Sequence, residues 1–168
     1  MKPIESTYEI LAWKHFNLAV DEKWIQWAVE MLIEGFETEH LIELAGILKP
    51  YNQHELCYLT DKVFKELNLD YLNQDKVMTD YITFLGKQVL KGKRDLLETL
   101  RILHDIFIEN DLLDILTDFN YLYWAKEDLI RSEEQYYWEG ADRSNIDQIC
   151  IQHFEDWINE NEDKYNYL

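Results

Sequence analysis

Hydrophobic residues recur at helical spacing along most of the chain, and the clearest example lies between Trp24 and Leu48. Gly35 can adopt the positive φ that ends a helix, and Thr38 can cap the amides of a following helix. The apolar spacing resumes after Thr38 and continues to Leu48, until Pro50 ends it. This segment therefore predicts two amphipathic helices. The apolar face of the first comprises Trp24, Trp27, Ala28, Met31 and Leu32.

The same reasoning predicts helices along the rest of the chain. Ser6 with Glu9 has capping-box form, and Asp21, Asn52 and Asp95 are expected to cap the helices that follow them. Residues 125–143 have poor periodicity and high charge, so no element is predicted there. The expected helices run over about 6–15, 22–34, 39–48, 53–67, 74–91, 96–107, 112–123 and 146–157.

Alternation of apolar and polar residues never persists long enough to indicate a strand. We therefore expect an all-α fold of about seven or eight antiparallel helices in a single domain over residues 1–168. Short connections favour helical hairpins, arranged as a bundle or as a short α-solenoid-like stack. Cys57 and Cys150 are expected to be reduced thiols, although a single disulfide stays open because the sequence does not give their distance.

The charge is strongly acidic, with 34 acids against 16 bases and a net charge of −18. Residues 120–168 alone carry 12 acids and 4 bases. A field of this sign repels nucleic acid and anionic lipid, so we expect neither as a partner, whereas a basic protein is an expected partner. The alternative interpretation is that the charge serves solubility. Neither a secretory signal nor an apolar run of about 20 residues is evident, which favours the cytoplasm.

Motifs for catalysis or metal binding are incomplete. The zinc-protease helix motif begins at His54, but Tyr58 stands where the second histidine is needed. Glu37 and His40 have the Glu-x-x-His spacing of di-iron bundles, yet such sites require two of these motifs. His153 lies on an apolar helical face, which is typical of a core histidine. We therefore expect no catalytic residue, no cofactor and no metal site.

The strongest candidate for a contact surface is a short segment that combines acids with three consecutive large aromatics. Tyrosine and tryptophan are enriched in protein interfaces, and the surrounding acids favour a cationic partner. The alternative is that two of the rings cover the edge of the core while the acids are solvated. The candidate residues are Glu133, Glu134, Tyr136, Tyr137, Trp138 and Glu139.

One stretch also resembles a pattern in an uncharacterised group of small all-helical bacterial proteins. It reads Trp27-Ala28-x-x-Met31-Leu32-x-x-Gly35-x-Glu37-Thr38-x-x-Leu41-x-x-Leu44-Ala45-Gly46. The resemblance implies a bacterial, cytosolic, all-α protein. Small proteins of this kind are sometimes found beside toxin systems, which implies an immunity role. The group has no established functional residues to carry over.

Three functional hypotheses follow. The leading one is an acidic, non-enzymatic protein-interaction module, and more narrowly a bacterial immunity protein that binds a basic toxin domain. The second is a decoy that mimics nucleic acid and occupies a basic nuclease or DNA-binding protein. The third is an enzyme whose site the sequence does not reveal.

Overall fold

The computed structural model of the protein describes residues 3–111 and 113–161. Over those residues the chain forms eight α-helices and no β-strand, which confirms the predicted all-α class. A 3₁₀ turn, Asp114–Leu116, precedes the seventh helix. Among the helices in these ranges, none combines the length and the apolar character needed to cross a membrane. The helices are α1 (Thr7–His15), α2 (Glu22–Ile33), α3 (Glu39–Ala45), α4 (Gln53–Glu66), α5 (Gln74–Leu90), α6 (Leu96–Glu109), α7 (Thr117–Arg131) and α8 (Ile146–Asn161).

Contacts along the chain divide it into two units, and each is described by itself. The N-terminal unit contains the described residues up to Tyr81, and the C-terminal unit contains those from Ile82 to Asn161. That the chain forms one domain stays a prediction. Cys57 and Cys150 are both free thiols, so the disulfide left open by the sequence is not formed.

The N-terminal unit is built around tryptophan. Helices that follow one another pack together, α1 on α2, α2 on α3 and α3 on α4. The fully buried Trp24 ring stacks on Phe64 at 6.1 Å between centroids, and Trp27 meets the same ring edge-on. Trp27 Nε1 donates a hydrogen bond of 3.0 Å to the buried Thr7 hydroxyl, so this indole is satisfied inside the core.

The C-terminal unit packs α6 on α7 and α7 on α8. Its core is centred on Phe119 of α7 and Phe154 of α8, whose ring centroids are 5.1 Å apart. Gly86 of α5 lies directly against this pair, because a Cβ built on it would approach Phe154 Cδ1 to 2.8 Å. The aromatic core fixes the relation of α7 to α8, and these two helices carry the candidate site.

Several predicted helix ends are confirmed. The side chains of Asp21, Asn52 and Asp95 each accept hydrogen bonds from the first free amides of α2, α4 and α6. Gly35 and Gly92 take positive φ where α2 and α5 stop, at 91° and 67°. The local signals of capping and termination were therefore sufficient at these positions.

Two predicted caps are wrong. Ser6 is itself in helical geometry and its side chain makes no capping bond, and Thr38 makes none either. At α3 the capping acceptor is Glu66 of α4, whose Oε2 receives the His40 amide at 3.1 Å. Hydrogen bonding from His40 lowers the pKa of Glu66. The Thr38 side-chain oxygen is buried and makes no hydrogen bond of normal length and angle.

Three helix boundaries also differ from the predictions. Helix α3 stops at Ala45 with Gly46 at its C-cap, and Leu48, expected on its inner face, is 83% exposed. Helix α7 begins at Thr117 rather than near Leu112, a residue that lies outside the described ranges, because the 3₁₀ turn comes first. Helix α7 then continues to Arg131, into a stretch for which the sequence predicted no element.

Candidate functional site

The predicted contact segment forms part of the connection between α7 and α8. We call residues 133–139 the acidic aromatic loop. Its residues are not helical, and the acids Glu133, Glu134 and Glu139 are all exposed to solvent. Tyr136 is 87% exposed, whereas Tyr137 is 44% exposed. The structure thus places all six predicted residues on one short surface connection.

Gln135 holds this loop together with four hydrogen bonds from one side chain. Its Nε2 donates to the carbonyl oxygens of Trp138, at 2.6 Å, and Ala141, at 3.1 Å. Its Oε1 accepts from the backbone amides of Tyr137 and Trp138, each at 2.8 Å. An amide side chain can satisfy two donors and two acceptors at once, so the loop has a fixed backbone shape despite its exposure.

The three aromatic rings have different surroundings. Tyr137 stacks on Trp124 of α7 with centroids 6.2 Å apart, and the half-buried Trp138 meets His153 of α8 edge-on at 5.7 Å. The Tyr136 hydroxyl donates to Glu134 at 2.9 Å, and this hydrogen bond and the carboxylate charge raise the pKa of Tyr136. Two rings therefore cover the helices, and Tyr136 is presented to solvent.

Arg143 ties the same connection to the end of α7. Its Nε donates to the carbonyl oxygens of Leu129, at 2.8 Å, and Ser132, at 3.1 Å. Its guanidinium lies 3.9 Å from Glu133, a distance at which an exposed pair contributes little. The arginine thus acts mainly as a backbone anchor, and the acidic aromatic loop keeps a strongly negative surface.

A cleft of about 390 Å³ adjoins the loop in the C-terminal unit. Carboxylates line it from the 3₁₀ turn, from α7 and from α8, and the half-buried Trp157 contributes a ring to its wall. His153 connects the two features, because it lines the cleft and contacts Trp138. The cleft residues are Asp114, Ile115, Asp118, Phe119, His153, Asp156, Trp157 and Glu160.

The cleft carboxylates differ from other acids of this unit in their pairing. Over the described ranges, no lysine or arginine pairs with Asp114, Asp118, Asp156 or Glu160. Other acids of this unit are paired, as Asp147 is with Lys126. A cleft with unneutralised carboxylates suits an ammonium or guanidinium group through ion pairing, and the half-buried Trp157 ring offers a cation–π contact in addition.

His153 does not neutralise the cleft at ordinary pH. Burial lowers its pKa, although the nearby carboxylates of Asp118, Asp156 and Glu160 act in the opposite direction. Desolvation is the larger effect, so the imidazole is neutral near pH 7. The ring also lies edge-on against Phe119 at 4.8 Å, which keeps it between the cleft and the aromatic loop.

The sequence analysis missed the cleft, although part of its signal was visible. Asp114 and Asp118 are four residues apart, and so are Asp156 and Glu160, the spacing that places acids on one helical face. What the sequence could not show is that the 3₁₀ turn, α7 and α8 bring the two acidic pairs to the same cleft.

No family model, curated protein or solved structure matches this chain.

Proposed function

We propose that this protein is an acidic, non-enzymatic protein-interaction module that docks a basic segment of a partner protein. The docking surface comprises the acidic aromatic loop and the adjoining cleft. The observation that carries the proposal is the cleft itself, which four carboxylates line and in which none of them pairs with a lysine or arginine of the described residues. A basic side chain would find there both the charge and the ring faces that such groups prefer.

The two parts of the surface have complementary tasks. The net charge of −18 attracts a basic partner from a distance and accelerates the encounter. The cleft then receives an arginine or lysine side chain, and Tyr136 packs against the partner beside it. Charge-assisted hydrogen bonds contribute about 1.5–3 kcal/mol each where they are shielded from water. The affinity should therefore depend on the cleft and should fall with rising salt.

The first experiment measures binding of an arginine-rich peptide, with a glycine-serine peptide of equal length as a control, by fluorescence anisotropy at low and high salt. The test variant carries Asp118→Asn and Asp156→Asn. The matched control carries Asp105→Asn and Glu155→Gln, which remove the same charge from exposed positions outside the cleft. We expect the cleft variant to bind at least about tenfold more weakly, or about 1.4 kcal/mol, and the control much less so.

Equal weakening by both variants would contradict the proposal, because it would show attraction to net charge rather than to a site. Tyr136→Ala extends the test to the loop. Since the side chain is 87% exposed, the substitution should leave stability unchanged and still weaken binding. Tyr58→Ala is the control, because Tyr58 is 63% exposed and lies in the N-terminal unit.

The narrower proposal is a bacterial immunity protein that blocks a basic toxin domain. It draws on the resemblance of residues 27–46 to a bacterial group and on the acidic surface described above. The test is co-expression with a toxin encoded beside this protein. Survival with the unaltered chain, and death with the Asp118→Asn/Asp156→Asn variant, would support it. Death with both would oppose it, provided that both proteins accumulate equally.

A further inference from the structure

We propose that Glu39, His40 and Glu66 form a binding site for a divalent transition-metal ion, with Zn²⁺ the best match to the ligand set. The three side chains lie in the N-terminal unit, at the first turn of α3 and the last turn of α4. One potential ligand atom from each lies within 4.8 Å of the other two. The site is independent of the proposed docking surface.

The geometry brings a nitrogen and two carboxylate oxygens to one point. His40 Nδ1 lies 2.5 Å from Glu66 Oε1, and Glu66 Oε2 accepts the His40 amide at 3.1 Å. The His40 and Glu66 side chains are 19% and 27% exposed, so an ion can enter from solvent. Zinc ligands lie about 2.0–2.2 Å from the metal, which sets them somewhat over 3 Å apart in a tetrahedral site. Metal binding therefore requires His40 Nδ1 and Glu66 Oε1 to move apart from their hydrogen-bonded separation of 2.5 Å.

The cluster contains more than the hydrogen-bonded pair of His40 and Glu66. Glu39 adds a second carboxylate, and among the described residues no lysine or arginine pairs with Glu39 or Glu66. The Thr38 oxygen beside Glu66 is buried without a hydrogen bond of normal geometry. Three protein ligands leave one position of a tetrahedral ion for water. Two carboxylates also balance the charge of a dication.

Glu37, which has Glu-x-x-His spacing to His40, is not part of this cluster. The carboxylate that reaches His40 from another helix is Glu66, which lies 26 residues further along the chain. Histidine with two carboxylates is a mixed nitrogen and oxygen set, which suits Zn²⁺ better than Mg²⁺ or Ca²⁺. Metal selectivity is thus a second consequence that can be measured.

The test is isothermal titration of the full chain with Zn²⁺, after treatment with a chelator. We expect saturable binding of one ion per chain and a rise in melting temperature with added Zn²⁺. Glu39→Gln keeps the His40–Glu66 hydrogen bond, so the variant should fold and bind at least about tenfold more weakly. Glu37→Gln is the matched control and should bind as the unaltered chain does.

His40→Ala should abolish saturable binding, whereas His54→Ala, which removes an exposed histidine of the same unit, should not. Absence of saturable Zn²⁺ binding to the unaltered chain would overturn the proposal. Equal binding by Glu39→Gln and the unaltered chain would overturn the ligand assignment. Since the docking surface lies elsewhere, Glu39→Gln should leave binding of the arginine-rich peptide unchanged.

Discussion

Gln135 offers the sharpest test of whether the acidic aromatic loop is a preformed surface. Its side chain donates two hydrogen bonds to backbone carbonyl oxygens and accepts two from backbone amides. Replacement by alanine removes all four. Gln135→Glu keeps the shape and the accepting oxygens, but it directs a carboxylate oxygen at the carbonyl oxygens of Trp138 and Ala141. The loop should therefore open more often in both variants.

The magnitude follows from the hydrogen bonds. Each contributes about 0.5–1.5 kcal/mol net, and the lower end applies here because water reaches a half-buried side chain. Four such bonds amount to about 2 kcal/mol. Since about 1.4 kcal/mol corresponds to a factor of ten, the open fraction of the loop should rise about 30-fold. The unfolding free energy of the whole chain should fall by at most about 2 kcal/mol, and by less where the folded state already populates the open loop.

The assay is hydrogen exchange of the Tyr137 and Trp138 backbone amides, the two groups that donate to Gln135 Oε1. We expect their exchange to accelerate about 30-fold in Gln135→Ala, while amides in the middle of α7 keep their protection. Gln26→Ala is the control, because Gln26 makes a comparable side-chain bond to Glu30 in the other unit. Unchanged exchange at both loop amides would refute the idea that Gln135 orders the loop.

Three further outcomes are expected. In urea denaturation, Gly86→Ala should destabilise the protein by about 1 kcal/mol, because a Cβ 2.8 Å from the buried Phe154 ring costs more than the gain in helix propensity. The control is Gly46→Ala, whose Cβ would have its nearest contact at 3.5 Å and which should change stability by under about 0.5 kcal/mol. Because burial lowers the pKa of His153, the unfolded chain binds the proton more readily, so unfolding free energy should fall as pH drops below about 6.5, and less steeply in His153→Phe. Burial raises the pKa of Cys150 to about 12, so iodoacetamide should modify it only after unfolding, as mass spectrometry would show.

The fold class followed from the sequence because helix signals are local. Asp21 and Asn52 act within two or three residues of themselves, and the apolar face around Trp24 repeats at a fixed spacing. One error arose where a distant residue took over a local role. Thr38 should cap α3 by its position, but Glu66 of α4 reaches the His40 amide instead. Spacing along a sequence carries no information about such a partner.

The candidate site also depends on contacts between residues that are distant in the sequence. That at least one of the three rings is exposed could be anticipated, since three consecutive large aromatics cannot all face one core; that it is Tyr136 could not. Gln135 was overlooked because nothing in the sequence marks a glutamine whose partners are backbone groups. The cleft could not be predicted, because it depends on the packing of α7 on α8, which brings together two acidic pairs that are far apart in the sequence. Properties that depend on neighbouring residues could therefore be predicted from the sequence. A site lined by residues of several helices could not.

Glu160 allows the functional argument to be tested against stability. It lies in the last turn of α8, where a negative charge opposes the helix dipole, and it shares the cleft with three other carboxylates. Both effects disfavour the fold, so Glu160→Gln should stabilise the protein by about 0.3–1 kcal/mol at low ionic strength. Asp147→Asn should do the opposite, because Asp147 lies in the first turn and pairs with Lys126. If the cleft binds cations, Glu160→Gln should also weaken binding of the arginine-rich peptide. A variant that gains stability without losing binding would show that this carboxylate has no part in docking, and one that loses stability would contradict the electrostatic reasoning itself.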